Sequence, residues 1–276
     1  IMAYHHVGGP NVVYENPVQF GAVAPITPPN QHINYGGCKL WAAPQRLFVE
    51  PEGVWPPNAF WENGRNRVNM PDPVTLELIG PDDPRSIVQF TRRFILPARG
   101  ARITIEHCMR NVGRRSTARA IWAINPMARP SLALAPKPRE AAQVWGTHTE
   151  LWQQRDDTYV CDAAGDTATK LFVHVERPWC AGLRDGWLWV IWGEPLYDKA
   201  CPHGEASVEI YLDRTFIELE IVAPECVLHP GETTTYTMYW DLRRLGDNTA
   251  AAAEKALAGL GLLARSDHND NKTTAS

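Results

Sequence analysis

No apolar run in this sequence approaches the roughly 18 residues that a membrane-spanning helix needs, so no membrane partner is expected. Basic residues do not gather beyond the pairs Arg92-Arg93, Arg114-Arg115 and Arg243-Arg244, and the net charge is -4. That argues against nucleic acid as a partner. The six cysteines (38, 108, 161, 180, 201 and 226) form no C-x-x-C pair, which speaks against a zinc ribbon, and isolated buried thiols are expected. His5 and His6 are adjacent, with no partner at i+4 and no carboxylate pattern, so no metal site is expected. A G-x-S-x-G elbow, a P-loop and a dinucleotide fingerprint are all missing, so no cofactor is expected. No βαβ rhythm, internal repeat or interdomain linker appears, which argues against a doubly wound sheet. The sequence opens on Ile1, and Asn271-Lys272-Thr273 fits a glycosylation acceptor triplet. These leave compartment open, and nothing in the sequence bears on oligomeric state.

What the chain has instead is tryptophan, proline and glycine: 11, 23 and 20 of 276 residues. Tryptophan fills cores, and its flat apolar ring also stacks on the C–H face of a sugar; both readings stand. Proline and glycine divide the chain into short β-type runs. The clearest are residues 75–80, 86–96, 101–111, 118–125, 170–176, 186–192, 207–213, 215–223 and 233–242, separated by turn signals. This spacing predicts an all-β protein, a large antiparallel sandwich. Residues 1–30 read as an irregular covering segment and 31–246 as the β domain. Residues 247–265 read as a helix with Asp247, Asn248 or Thr249 as its cap, and 266–276 as a disordered polar tail.

Alternation then sorts side chains by face. In "TFIELEIVA", Ile217, Leu219 and Ile221 are expected in the core, and Phe216, Glu218 and Glu220 on the opposite face. Two carboxylates there stand either in solvent or in a cleft. In "NYGGCKLWAAPQ", Gly36-Gly37 would let backbone approach a cleft or bend an edge strand. Lys39 and Trp41 would share one side, with Trp41 as a flat surface at the rim. His107 shares a face with Ile103 and Ile105 and is expected to be buried. His174 alternates with Phe172 and can face a cleft. Arg46, Asn125, Lys170 and Glu194 fall at strand ends or corners, where they would hydrogen-bond sugar hydroxyls.

Several segments, in order, resemble the galactose mutarotase-like superfamily of aldose 1-epimerases and hexose-6-phosphate mutarotases. They are "YGGCKLWAAPQ", "TRRFILPARGARITIEHCMRNVG", "WLWVIWGEPLYDKA" and "FIELEIVAPECVLHPGETTTYTMYW". The nearest likeness is to members with a Gly-Gly-x-x-x-Trp-x-x-Pro segment. The resemblance spans residues 30 to 245 and implies a large β-sandwich with a sugar cleft on a concave sheet. It also implies a histidine acid and a glutamate base, and Glu218 matches the base position. Trp122 stands where the histidine would be, and Tyr35 where those enzymes carry arginine, so ordinary mutarotase chemistry is doubtful.

The resulting expectation is a carbohydrate-binding protein. Glu218 and His174 are its candidate catalytic pair, and Lys39, Trp41, Arg46, Trp122, Asn125 and Glu194 contact the ligand. The alternatives are a 1-epimerase with Glu218 as base and a relocated acid, a polysaccharide lyase or hydrolase, and a structural role with residues 1–30 filling the cleft.

Overall fold

A computed structural model describes residues 1–23, 32–48, 55–138, 141–146, 148–163 and 168–263. The expected polar tail, 266–276, lies outside the described residues, as do residues 24–30 of the expected covering segment. The elements, in chain order, are β1 (Lys39–Ala43), α1 (Ala59–Asn63), β2 (Arg67–Asp72), β3 (Thr75–Ile79), β4 (Val88–Ile95), β5 (Ile103–Asn111), β6 (Thr117–Ala128), β7 (Leu132–Pro136), β8 (Gln143–Trp145), β9 (Trp152–Gln154), β10 (Thr158–Asp162), β11 (Thr169–Val173), β12 (Trp179–Arg184), β13 (Trp187–Gly193), β14 (Val208–Leu212), β15 (Phe216–Val222), β16 (Cys226–Leu228), β17 (Thr233–Arg244) and α2 (Ala250–Gly259).

The strands form two antiparallel sheets. One has seven strands in the order β1-β6-β15-β14-β11-β8, with β16 also paired to β6. The other has ten, in the order β2-β3-β4-β5-β17-β13-β12-β7-β10-β9. Their facing sides hold the main core, where Ile217, Leu219 and Ile221 meet Ile210, Met238 and Trp240. These residues recur at period two, so each strand commits one face to this layer. Burying that apolar area, at roughly 25 cal/mol per Å², holds the sheets together.

The outer face of the ten-stranded sheet is covered by α2. Ala253 and Leu257 pack on Leu134, Trp179, Leu183 and Val190. Of the three cap candidates, Thr249 serves: its hydroxyl accepts from the Ala252 amide at 3.2 Å. Asn248 instead accepts from the Gly186 amide at 2.6 Å. The helix ends at Gly259, and Gly261 follows at φ +75°, the left-handed conformation that closes a helix C-terminus.

The N-terminal segment packs against the sandwich. Tyr4 is buried against Trp189 and Trp240, Val13 bridges to Met127, and Glu15 bridges to Gly36. This revises the role expected for the glycine pair. Gly36 and Gly37 have φ of +76° and +73°, and a Cβ on Gly36 would sit 2.3 Å from the Tyr14 carbonyl oxygen. The pair therefore makes room for the N-terminal segment, and it does so because only glycine combines a positive φ with that approach. His107 is buried as expected, and burial pulls its imidazole down to about 3.

Candidate functional site

The outer face of the seven-stranded sheet carries a buried cluster of Trp41, Trp122, Ile124 and Val222 with Phe48, and beside it forms one wall of a cavity of about 940 Å³. Its side chains are the other half of the alternation that builds the core. Rungs of directly opposed residues cross the strands. One reads Trp41, Trp122, Val222. The next reads Lys39, Ile124, Glu220, Glu209, Phe172, Gln143, and the third reads Pro126, Glu218, Tyr211, Lys170, Trp145. Apolar rings and ionised groups are thus interleaved on one surface.

The charges pair diagonally between rungs. Lys39 Nζ lies 3.0 Å from Glu218 Oε1. Lys170 Nζ lies 2.6 Å from Glu209 Oε2 and 3.1 Å from Glu220 Oε2. Trp122 Nε1 donates to Glu220 Oε2 at 2.8 Å. The ammonium groups also sit over rings, Lys170 at 5.0 Å from Trp122 and 5.1 Å from Phe172, and Lys39 at 5.4 Å from Trp41. The helix α1 and the loops supply the rest. Trp41 Nε1 donates to Glu62, whose other oxygen is 3.5 Å from His32 Nδ1, and Glu205 accepts from the Gln45 amide at 2.7 Å.

Glu209 and Glu220 oppose each other directly with a single lysine between them. Both are buried, and burial is the main cause that raises their carboxyls, to about 7 and about 8. Repulsion from neighbouring carboxylates adds to this, and Lys170 works against it. The cluster therefore holds a proton beyond the one on its lysine near neutral pH. Burial opposes charge on Lys170 and Lys39 as well, but their carboxylate partners outweigh it, and both are raised. Burial, with help from Lys39, lowers His32 to about 4, so its imidazole is neutral at pH 7. Burial raises Glu62 and Glu205.

Of the residues singled out from sequence, Glu218, Lys39, Trp41, Arg46 and Trp122 line this cavity. Trp41 is buried edge-on against Trp122, with ring centres 5.6 Å apart, and does not lie open at the rim. His174 lines an adjoining cavity of about 620 Å³, which shares Phe172, His203, Gly204 and Glu205 with the first. Asn125 and Glu194 are not brought to either. Asn125 is buried with its amide donating to the Leu219 carbonyl at 3.0 Å, on the β6 face opposite Trp122. Glu194 follows β13 in the other sheet, where its carbonyl accepts from the Tyr236 hydroxyl at 2.8 Å. Among the described residues 1–23, none lines the large cavity.

Sequence reasoning passed over Glu209, Tyr211, Trp145, Trp55, Glu62, Glu205 and the two histidines on the cavity wall, His32 and His203. A signal existed for Glu209 and Tyr211, since "SVEIYLD" alternates as cleanly as β15. The others sit on loops, on the single-turn helix α1 (Glu62) or on a strand too short for periodicity. Among the described residues no group of three or more His, Cys, Asp or Glu side chains is arranged to hold a metal ion.

The family described as "Domain of unknown function (DUF4380)" matches residues 8–243. No curated protein matches. Among solved structures, a galactose mutarotase-like protein from Lactobacillus casei is similar with a TM-score of 0.54 and 10% identity, over 87% of this chain and 92% of that one. The Slr1438 protein from Synechocystis sp. PCC 6803 gives 0.55 and 10%, over 86% of each chain. A TPR-domain containing protein from Parabacteroides distasonis gives 0.55 and 12%, over 87% of this chain; the match spans 42% of that protein's length. At such identities the likeness is one of fold: a galactose mutarotase-like β-sandwich. The narrower likeness to members with a Gly-Gly-x-x-x-Trp-x-x-Pro segment finds no support here.

Proposed function

The chain belongs to the DUF4380 family and carries a mutarotase-like fold, and from that premise we propose that it binds carbohydrate on the outer face of its seven-stranded sheet. The observation that carries this reading is a pair of exposed indoles on the wall of the large cavity. Trp55 is 49% and Trp145 is 61% exposed, and both line it. Open apolar rings of this size are unfavourable in water, and a ligand with apolar faces would cover them. Between them lie fixed acceptors and donors, chiefly Glu218, Glu205, Lys39 and Lys170, that match a ring of hydroxyls.

A second reading, an aldose or sugar-phosphate 1-epimerase, is favoured by one arrangement. Glu218 and Glu220 stand two residues apart on the same cavity-facing side of β15. Glu218 is ion-paired and suited to take the anomeric proton. The Glu209–Lys170–Glu220 cluster holds a proton that could pass to the ring oxygen. This replaces the histidine acid, whose position Trp122 occupies.

Proton NMR on aldoses, uronates and hexose 6-phosphates tests both. Binding predicts selective broadening of one sugar's signals, weakened at least tenfold by Glu218→Gln. Epimerase activity predicts faster anomer exchange, abolished by Glu218→Gln. An absence of broadening for every sugar, free or oligomeric, would overturn the carbohydrate reading.

A further inference from the structure

Resting on that reading, we propose that the natural ligand is a neutral oligosaccharide lying across the strands, with its chain continuing past Phe172 into the adjoining cavity. Three observations carry this. The first is the position of the two open indoles. Trp55 packs against Trp41 of β1, with ring centres 5.9 Å apart, and Trp145 belongs to β8. β1 and β8 are the opposite ends of the strand order β1-β6-β15-β14-β11-β8. Five strand spacings separate them, on the order of 20 Å, which one sugar ring cannot bridge.

The second is capacity. The cavity of about 940 Å³ is at the upper end for pockets that take drug-sized ligands. A hexose has about a dozen non-hydrogen atoms and would leave most of that space to water. The neighbouring cavity of about 620 Å³ begins on the other side of a shared wall, Phe172 with His203, Gly204 and Glu205. Gln143 and His174 line it, so the polar contacts continue beyond the aromatic step.

The third is charge. Lys39 and Lys170 both already hold carboxylate partners at 3.1 Å or less. Arg46 also lines the cavity, as an exposed side chain, but over the strands themselves a uronate or phosphate would meet Glu218 and Asp213 at close range. Hydroxyl groups suit these acceptors, and added negative charge does not.

The test is a calorimetric titration of the full chain with malto-, cello-, xylo- and manno-oligosaccharides of one to six units, and with oligogalacturonides as the anionic arm. Affinity is expected to rise at least tenfold from monosaccharide to hexasaccharide in one neutral series. Trp145→Ala should remove at least tenfold for the hexasaccharide, and Trp145→Phe, which keeps a ring, should restore most of it. His174→Ala should weaken the longest oligomers alone. Equal affinity for a monosaccharide and its hexasaccharide would overturn this inference and leave the carbohydrate reading in place. Preference for oligogalacturonides would overturn the neutral assignment. An unaffected hexasaccharide affinity in Trp145→Ala would overturn the path across the sheet. Failure of every sugar to bind would overturn both the inference and the reading beneath it.

Discussion

The outer faces of the two sheets have the same backbone and opposite chemistry. On the ten-stranded sheet, Leu134, Val160, Trp179, Leu183, Leu188 and Val190 form an apolar surface, and α2 covers it with Ala253 and Leu257. On the seven-stranded sheet the equivalent surface carries Lys39, Lys170, Glu209, Glu218 and Glu220 among aromatic rings, and the short α1 reaches it only through Trp61 and Glu62 among the described residues. The difference teaches that the same pleat can commit one outer face to apolar packing and leave the other carrying paired charges. Ionised groups on the open face are held by one another.

Breaking the charged face should cost most. Lys170→Met leaves the Glu209 and Glu220 carboxyls without their cation and should destabilise the fold by about 3–5 kcal/mol in urea unfolding. A loss under about 1 kcal/mol would show that the cluster simply takes up protons in compensation. Breaking the covered face should cost somewhat less: Leu257→Ala, a buried contact of α2, is expected to lose about 2–3 kcal/mol by the same measurement.

Proton linkage sharpens the contrast, because the Glu209 and Glu220 carboxyls of the open face are raised to about 7 and about 8. Folded Glu209 and Glu220 hold protons up to about 7 and about 8, whereas the unfolded chain releases them near 4.5. The folded state then binds more protons than the unfolded state above pH 4.5, so this contribution is greatest at low pH and is lost as pH rises through 7 to 8. His32 and His107, lowered to about 4 and about 3, act oppositely but only as pH falls below about 6.5. Thermal unfolding between pH 7 and 8.5 should therefore show stability falling by about 1–2 kcal/mol, and Glu220→Gln should flatten that slope. An unchanged slope in Glu220→Gln would remove the cluster as its source. The smallest effect is expected at Trp145→Ala, where the ring is exposed: stability should stay within about 0.5 kcal/mol, so any loss of ligand affinity there reports on the site.

Much of the open face was legible from alternation alone. Phe216, Glu218 and Glu220 were placed opposite Ile217, Leu219 and Ile221 by period two, and the structure has them so. The same rule applied to β6 excludes Asn125 from the face of Trp122, since the two differ by an odd number of residues. His174 has the parity of Lys170 and Phe172, but β11 ends at Val173, and the loop beyond carries His174 into the adjoining cavity. Glu209 followed the same pattern as Glu218, but its meaning depends on which strand stands beside it.

By itself the sequence determined the longer strands and their sidedness, because chirality and the pleat fix where successive side chains point once a run is extended. It also narrowed the cap of α2 to three neighbouring residues, since capping is a local hydrogen-bonding event. The tertiary structure alone decided the order β1-β6-β15-β14-β11-β8, and with it the company each side chain keeps. Glu209 and Glu220 are eleven positions apart and meet through the β14–β15 pairing; Lys170, on β11, reaches both only because β14 lies between. Lys39 meets Glu218 across a separation of 179 residues. Strand neighbourhood is a global property of how the sheets close over their shared core, and no local pattern in the chain encodes it.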